Sequence, residues 1–130
     1  MDELSRQQMI SHQRAKAHHV LMQADEMIEL HHWDLAVNRY YYACFHILQA
    51  LLIANGLSAH THSGLATVFG QNFVNRGLID LSFGRFFSRM VQLRQKADYN
   101  SVANISEQEA KEIVEMSKMF VLKIGELIPQ

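Results

Sequence analysis

Apolar side chains recur along this chain at three- and four-residue spacing, which is the signature of helices packed by one face. The first such stretch runs from about Ser5 to Leu30, with Ile10, Ala17, Val20, Leu21, Ala24, Met27 and Ile28 in phase. A second reaches about Asn55, with Asp34 as its expected cap and Ala36, Tyr40, Ala43, Ile47, Leu48, Leu51 and Leu52 on a broad apolar face. Its breadth marks it as the central helix. Asn55-Gly56 should close it, because glycine tolerates the left-handed conformation that ends a helix.

A short helix is expected from Ser63 to Val74, then a break at Asn75-Arg76-Gly77. Phe83, Phe86, Phe87, Met90, Leu93 and Ala97 repeat at helical spacing to about Tyr99. The last helix opens on a capping box, Ser106 with Glu109, and aligns Ala110, Ile113, Val114, Ser117, Phe120, Val121, Ile124 and Leu127. The expected fold is all-α: an antiparallel up-and-down bundle of four long helices plus a short one. With 130 residues and no internal repeat, low-complexity tract or boundary, residues 1–130 are read as a single domain.

Composition narrows the setting. A formal charge of -1 excludes a generally basic nucleic-acid coat but leaves local patches open. The lone cysteine, Cys44, rules out a disulfide framework within the chain and suits a reducing compartment. Met1-Asp2-Glu3-Leu4-Ser5-Arg6 lacks the order of a signal peptide, and no apolar run approaches the roughly 20 residues of a membrane span. A soluble, cytoplasmic protein with no membrane partner is expected.

The chemistry concentrates on the fourth helix. Arg85, Arg89, Gln92 and Lys96 stand at i, i+4, i+7 and i+11, and residues 76–96 hold five basic side chains against the single acid Asp80. That stripe is either a phosphate-binding face or simply a solvated surface. Arg94 lies almost over Met90 and close to Phe87, with Asp98 one turn on. A charge pair on an apolar stripe invites a functional explanation, since burying both ions costs several kcal/mol per ion unless they are well paired.

Eight histidines, including His60-Thr61-His62, His18-His19 and His31-His32, raise the question of a metal. The spacing does not support one: adjacent helical positions diverge by about 100°, and no pair stands beside a carboxylate in the H-E-x-x-H manner. No metal or other cofactor is expected. Hydrolase, P-loop and dinucleotide signatures are missing, and Cys44 and His46, two residues apart, point to opposite sides of a helix. Cys44 is read as packing.

Three segments together are more specific. Arg39-Tyr40-Tyr41-Tyr42-Ala43-Cys44-Phe45-His46 leads to Leu51-Leu52 and Asn55-Gly56; Thr61-His62-Ser63-Gly64 leads to Phe69; Arg94-Gln95-Lys96-Ala97-Asp98-Tyr99 follows. In order and spacing this resembles the HEPN domain family, in particular its small stand-alone members with an R-x-x-A-D-Y motif, over nearly the whole chain. The resemblance implies a helical bundle that forms homodimers, with the arginine motifs of both subunits facing a shared cleft. It also implies a toxin-antitoxin module with a minimal nucleotidyltransferase as partner, and RNA as the target of a metal-independent endoribonuclease.

The carry-over fails at one position. The family's catalytic motif pairs its arginine with a histidine after four to six intervening residues, and here those positions are Tyr99, Asn100 and Ser101. Cleavage through a ribose 2′-hydroxyl needs a proton acceptor near neutral pH, and tyrosine titrates near 10. The candidate site residues are therefore Arg94 for phosphate, Asp98 and Tyr99 from the motif, and His62 as an imidazole supplied from elsewhere. Arg85, Arg89 and Lys96 are the further RNA or nucleotide contacts.

Two readings follow: a HEPN protein binding RNA or nucleotide phosphate with ribonuclease activity weak or lost, and a non-catalytic dimerisation or interaction module in which Arg94 and Asp98 fix register. If the pair is partly buried, Asp98→Ala leaves an uncompensated cation and lowers stability by roughly 3 to 5 kcal/mol, against about 1 kcal/mol or less for a surface pair. Denaturant unfolding of that variant measures the difference, and a negligible shift rules out the buried pair.

Overall fold

The computed structural model describes residues 2–99 and 105–129, with the backbone alone for 96–99. The described residues form five α-helices and no strand: α1 (Glu3–Glu29), α2 (Trp33–Ala54), α3 (His62–Phe69), α4 (Leu81–Tyr99) and α5 (Glu107–Leu127). A π-helical turn, Gly70–Val74, continues α3. They divide into two compact units. One holds α1, α2 and α5, the other α3, the π-turn and α4.

In the first unit α2 is the centre. Eleven of its 22 residues are buried, among them Tyr40, Tyr41, Cys44, Ile47, Leu48, Leu51 and Leu52. Helix α1 packs on it through a narrower face, Ile10, Ala17, Val20 and Ala24, and α5 through Ala110, Ile113, Ser117, Phe120, Val121 and Ile124.

Side-chain pairs give the helix directions. Tyr40 donates its hydroxyl to Asp25, and His46 Nδ1 lies 2.8 Å from Gln13 Oε1, so α2 ascends as α1 descends. Lys118 lies 3.3 Å from Asp25, and Arg14 donates to the carbonyls of Gly125 and Ile128, so α5 is likewise antiparallel to α1. The Arg14 contact places a cation on the terminal carbonyls of α5, of which that of Gly125 also accepts from the amide of Ile128.

The ends of α1 and α2 close alike. At α2, the amide of Leu57 donates to Leu52 and that of Gly56 to Ile53, with Gly56 at φ +70°. At α1 the same pattern puts His31 at φ 61°, where a Cβ is unfavourable, and its ring stacks on Trp33 with centroids 5.0 Å apart. This tight closure corrects the expected cap: α2 begins at Trp33, so Asp34 is already inside its first turn. Its carboxylate accepts instead from the amide of Ile105 at 3.4 Å. Ser106 caps α5 as expected, accepting from the amide of Glu109 at 3.1 Å.

Cys44 is fully buried beside Ser117, and burial pushes its thiol up to about 12, leaving it inert. Burial pulls His46 down to about 4, aided by the positive charges of Lys16, His12 and Arg39. The native state therefore holds this ring neutral, whereas the unfolded chain protonates it near 6.5. Its contribution to stability is complete above about pH 6.5 and is lost as pH falls toward 4. Unfolding midpoints of wild type and His46→Gln between pH 7 and 4 are expected to converge as acid is added, and parallel pH profiles would contradict it.

Candidate nucleic-acid interface

The second unit builds the candidate site. Thr61 caps α3, its hydroxyl accepting from the amide of Gly64 at 2.9 Å, which makes His62 the first helical residue. Leu65, Phe69 and Phe73 are buried, and Phe69 meets Phe87 of α4 edge to face at 6.3 Å. Asp80 starts α4 by accepting from the amide of Ser82 at 3.0 Å, and the hydroxyl and amide of Ser82 together hold its carboxyl below the usual range. Instead of one α-helix from Ser63 to Val74, the chain passes into the π-turn after Phe69.

Helix α4 separates its cations. Phe83, Phe86, Phe87, Met90 and Val91 are buried, whereas Arg85, Ser88, Arg89 and Gln92 are exposed. Arg94 is half-buried. At 3.6 residues per turn Arg94 falls within about 20° of Phe87 and about 180° from Arg85. The basic residues of this helix therefore form two groups facing different ways.

Arg85 and Arg89 line a groove between α4 and the π-turn, about 400 Å³ in volume, together with Ala66, Gly70, Val74, Asn75, Leu81, Gly84, Ser88 and Gln92. From the sequence Asn75 and the two glycines read only as breaks and Ser88 not at all, because their place in the groove depends on the π-turn. The one available signal was the pair of glycines, 70 and 84, both preceding Arg85 and Arg89 in the chain. Of Lys96, Asp98 and Tyr99 the structure gives the helical backbone; their side chains, and with them the Arg94–Asp98 pair, lie outside the described residues, as do Asn100 and Ser101. His62 is half-buried at the start of α3, in the same unit as Arg94.

On the first unit a second strip combines rings and charge. Tyr42, Phe45 and His46 are half-exposed along α2, their rings in mutual contact, and the Arg39 guanidinium lies 5.5 Å from the centre of the Tyr42 ring. Among the described residues no group of His, Cys, Asp and Glu could hold a metal ion, and no helix is long and apolar enough to cross a membrane.

A model of the HEPN domain matches residues 11–127, across both units. A UPF0332 protein of Thermotoga maritima is 32% identical over 123 residues, 95% of this chain and 93% of that one. A protein of Methanocaldococcus jannaschii carrying the name "Putative toxin" is 39% identical over 95 residues, 73% of this chain and 70% of its own. Another so named in that organism is 27% identical over 108 residues, 83% and 74% of the two chains.

Proposed function

The chain belongs to the HEPN domain family, and from that premise we propose that it is the toxin-like component of a nucleotidyltransferase-linked module. In this reading it binds RNA or nucleotide phosphate through the cations of α4, with ribonuclease activity weak or lost. The names of the Methanocaldococcus relatives support the toxin-like assignment. The observation that carries the binding is the exposed pair Arg85 and Arg89, one turn apart on the rim of a groove. Guanidinium groups grip phosphate oxygens in pairs, and two in a row suit a polyanion. Weak cleavage follows from the motif, which offers Tyr99, Asn100 and Ser101 where the family has histidine.

The test measures salt-dependent RNA binding, and metal-free cleavage of a labelled RNA, for wild type, Arg85→Ala, Arg94→Ala and His62→Ala. Binding should weaken steeply as salt rises and fall in both arginine variants. Cleavage should be poor throughout, since loss of a general base removes a factor of about 100 to 10,000. Robust cleavage abolished by His62→Ala would instead make His62 the base. Absence of salt-sensitive binding in wild type would favour the non-catalytic interaction module.

The reading includes self-association. Tyr42 and Phe45 remain half-exposed on α2, and large rings at a surface are typical of subunit contacts. Light scattering at micromolar concentration should give the mass of a homodimer, and Tyr42→Ala with Phe45→Ala should shift it toward monomer. A wild type that is strictly monomeric counts against the dimer.

A further inference from the structure

The groove beside α4 has a shape as well as a charge. A Cβ built on Gly84 would stand 3.1 Å from Val74 Cγ2, so the bare backbone lets α4 lie close to the π-turn. A Cβ on Gly70 would meet nothing within 4 Å, so the space above the π-turn is open. Val74 and Leu81 supply apolar surface, Leu81 being 52% exposed. Asn75 and Gln92 add carboxamides, each both donor and acceptor, and Arg85 and Arg89 supply the positive charge. Asp80 acts on Arg85 from the start of the helix, so the charge of the rim is moderated at that end.

We propose that this groove seats an unpaired nucleotide of a single RNA strand, on the side of α4 turned away from Arg94. The proposal rests on the phosphate-binding reading above and adds where the strand runs and which form of RNA is taken. The two arginines spring from positions about 5–6 Å apart, a spacing suited to successive phosphates of one strand. An unstacked base offers a flat apolar face to Val74 and Leu81 and a polar edge to the carboxamides. A duplex keeps its bases inside the stack and presents sugar and phosphate, so it would use the arginines and leave the rest of the groove idle. An acidic peptide would also use only the arginines. The site lies about half a turn of helix from Arg94, so a strand held here is gripped independently of the motif.

Gly70 gives a direct test, because its open space accepts a side chain without a clash. Fluorescence anisotropy is read on the full-length protein with a short labelled single-stranded RNA and with the same RNA annealed to its complement. Wild type is expected to prefer the single strand. Gly70→Leu, with unchanged circular dichroism and melting temperature, should weaken single-strand binding about tenfold and leave duplex binding nearly intact, the scale of losing one base contact. Arg85→Glu should weaken both. Asn75→Ala with Gln92→Ala, at positions outside the core, should reduce the single-strand preference even if Gly70→Leu fails to fold.

Wild-type single-strand binding by a folded Gly70→Leu overturns the groove while leaving the phosphate-binding reading intact. So does a preference that survives loss of both carboxamides. A wild type that binds neither RNA form removes both readings. Polyglutamate binding that Gly70→Leu abolishes, with RNA binding unaffected, would reassign the groove to an acidic protein partner and overturn the proposal.

Discussion

Helix α2 buries half of its residues over a sector wider than one stripe, and the arrangement around it follows from that constraint. Tyr40, Cys44, Ile47, Leu48, Leu51 and Leu52 are wholly buried, with Val37 and Tyr41 nearly so, and these positions spread over far more than one stripe of the helix. Each large side chain removed from water is worth about 1.5–3 kcal/mol, so leaving any sector bare would be costly. One helix cannot cover so wide a surface. Helix α1 brings only four buried residues in 27, two of them alanines that permit close approach. Helix α5 covers a further sector with Phe120 and Ile113. The polar contacts then sit at the margins: Asp25 takes both the Tyr40 hydroxyl and the Lys118 ammonium, tying the three helices at one level, and Arg14 ties α1 to the end of α5 at another. Burial against α2 holds the helices together, and these contacts set their register.

The same reasoning divides α4. Its apolar stripe commits one side of the helix to packing, so cations at positions 85 and 89 are exposed to water while that at 94 is half-buried. The difference matters physically. A charge in water acts through a screened field and adds to polyanion affinity roughly in proportion to the number of such charges. A half-buried guanidinium acts through a stronger field and in a narrower range of directions. Under the proposed function, one helix therefore carries two kinds of phosphate contact, one additive and salt-sensitive, the other orienting.

Much of this was legible in the chain because it depends on neighbours in sequence. Helix periodicity, the Ser106 cap and the glycine closure at Gly56 are all set within a few residues and appear as expected. The misses have longer-range causes. Asp34 looked like a cap by composition, but the closure of α1 through His31 leaves so short a link that α2 starts earlier. Arg14 acts on carbonyls 111 and 114 positions away, a distance no local pattern encodes. The groove needed the π-turn, which local propensity does not announce, and without it Asn75 reads only as part of a break. Arg85 and Arg89 were visible as a stripe. Their separation from Arg94 was implicit in the spacing but gains meaning only once Phe87 and Met90 are seen to be buried.

Under the proposed function, phosphate contact and catalysis separate. Arginines that hold the strand equally before and during reaction lower its free energy in both states, which tightens binding without lowering the barrier. Acceleration needs an interaction that appears only as the 2′-hydroxyl loses its proton, and an imidazole poised near neutral pH is the usual source. His46 does not meet that need, since burial and neighbouring cations hold it neutral down to about pH 4 and it already engages Gln13. A base with so low a pKa is weak, and proton transfer to it is correspondingly uphill. In that reading the exposed arginines of α4 hold RNA in place without cutting it. In the same reading, cutting RNA needs an imidazole beside Arg94, and His62, half-buried in the same compact unit, is the candidate for that role.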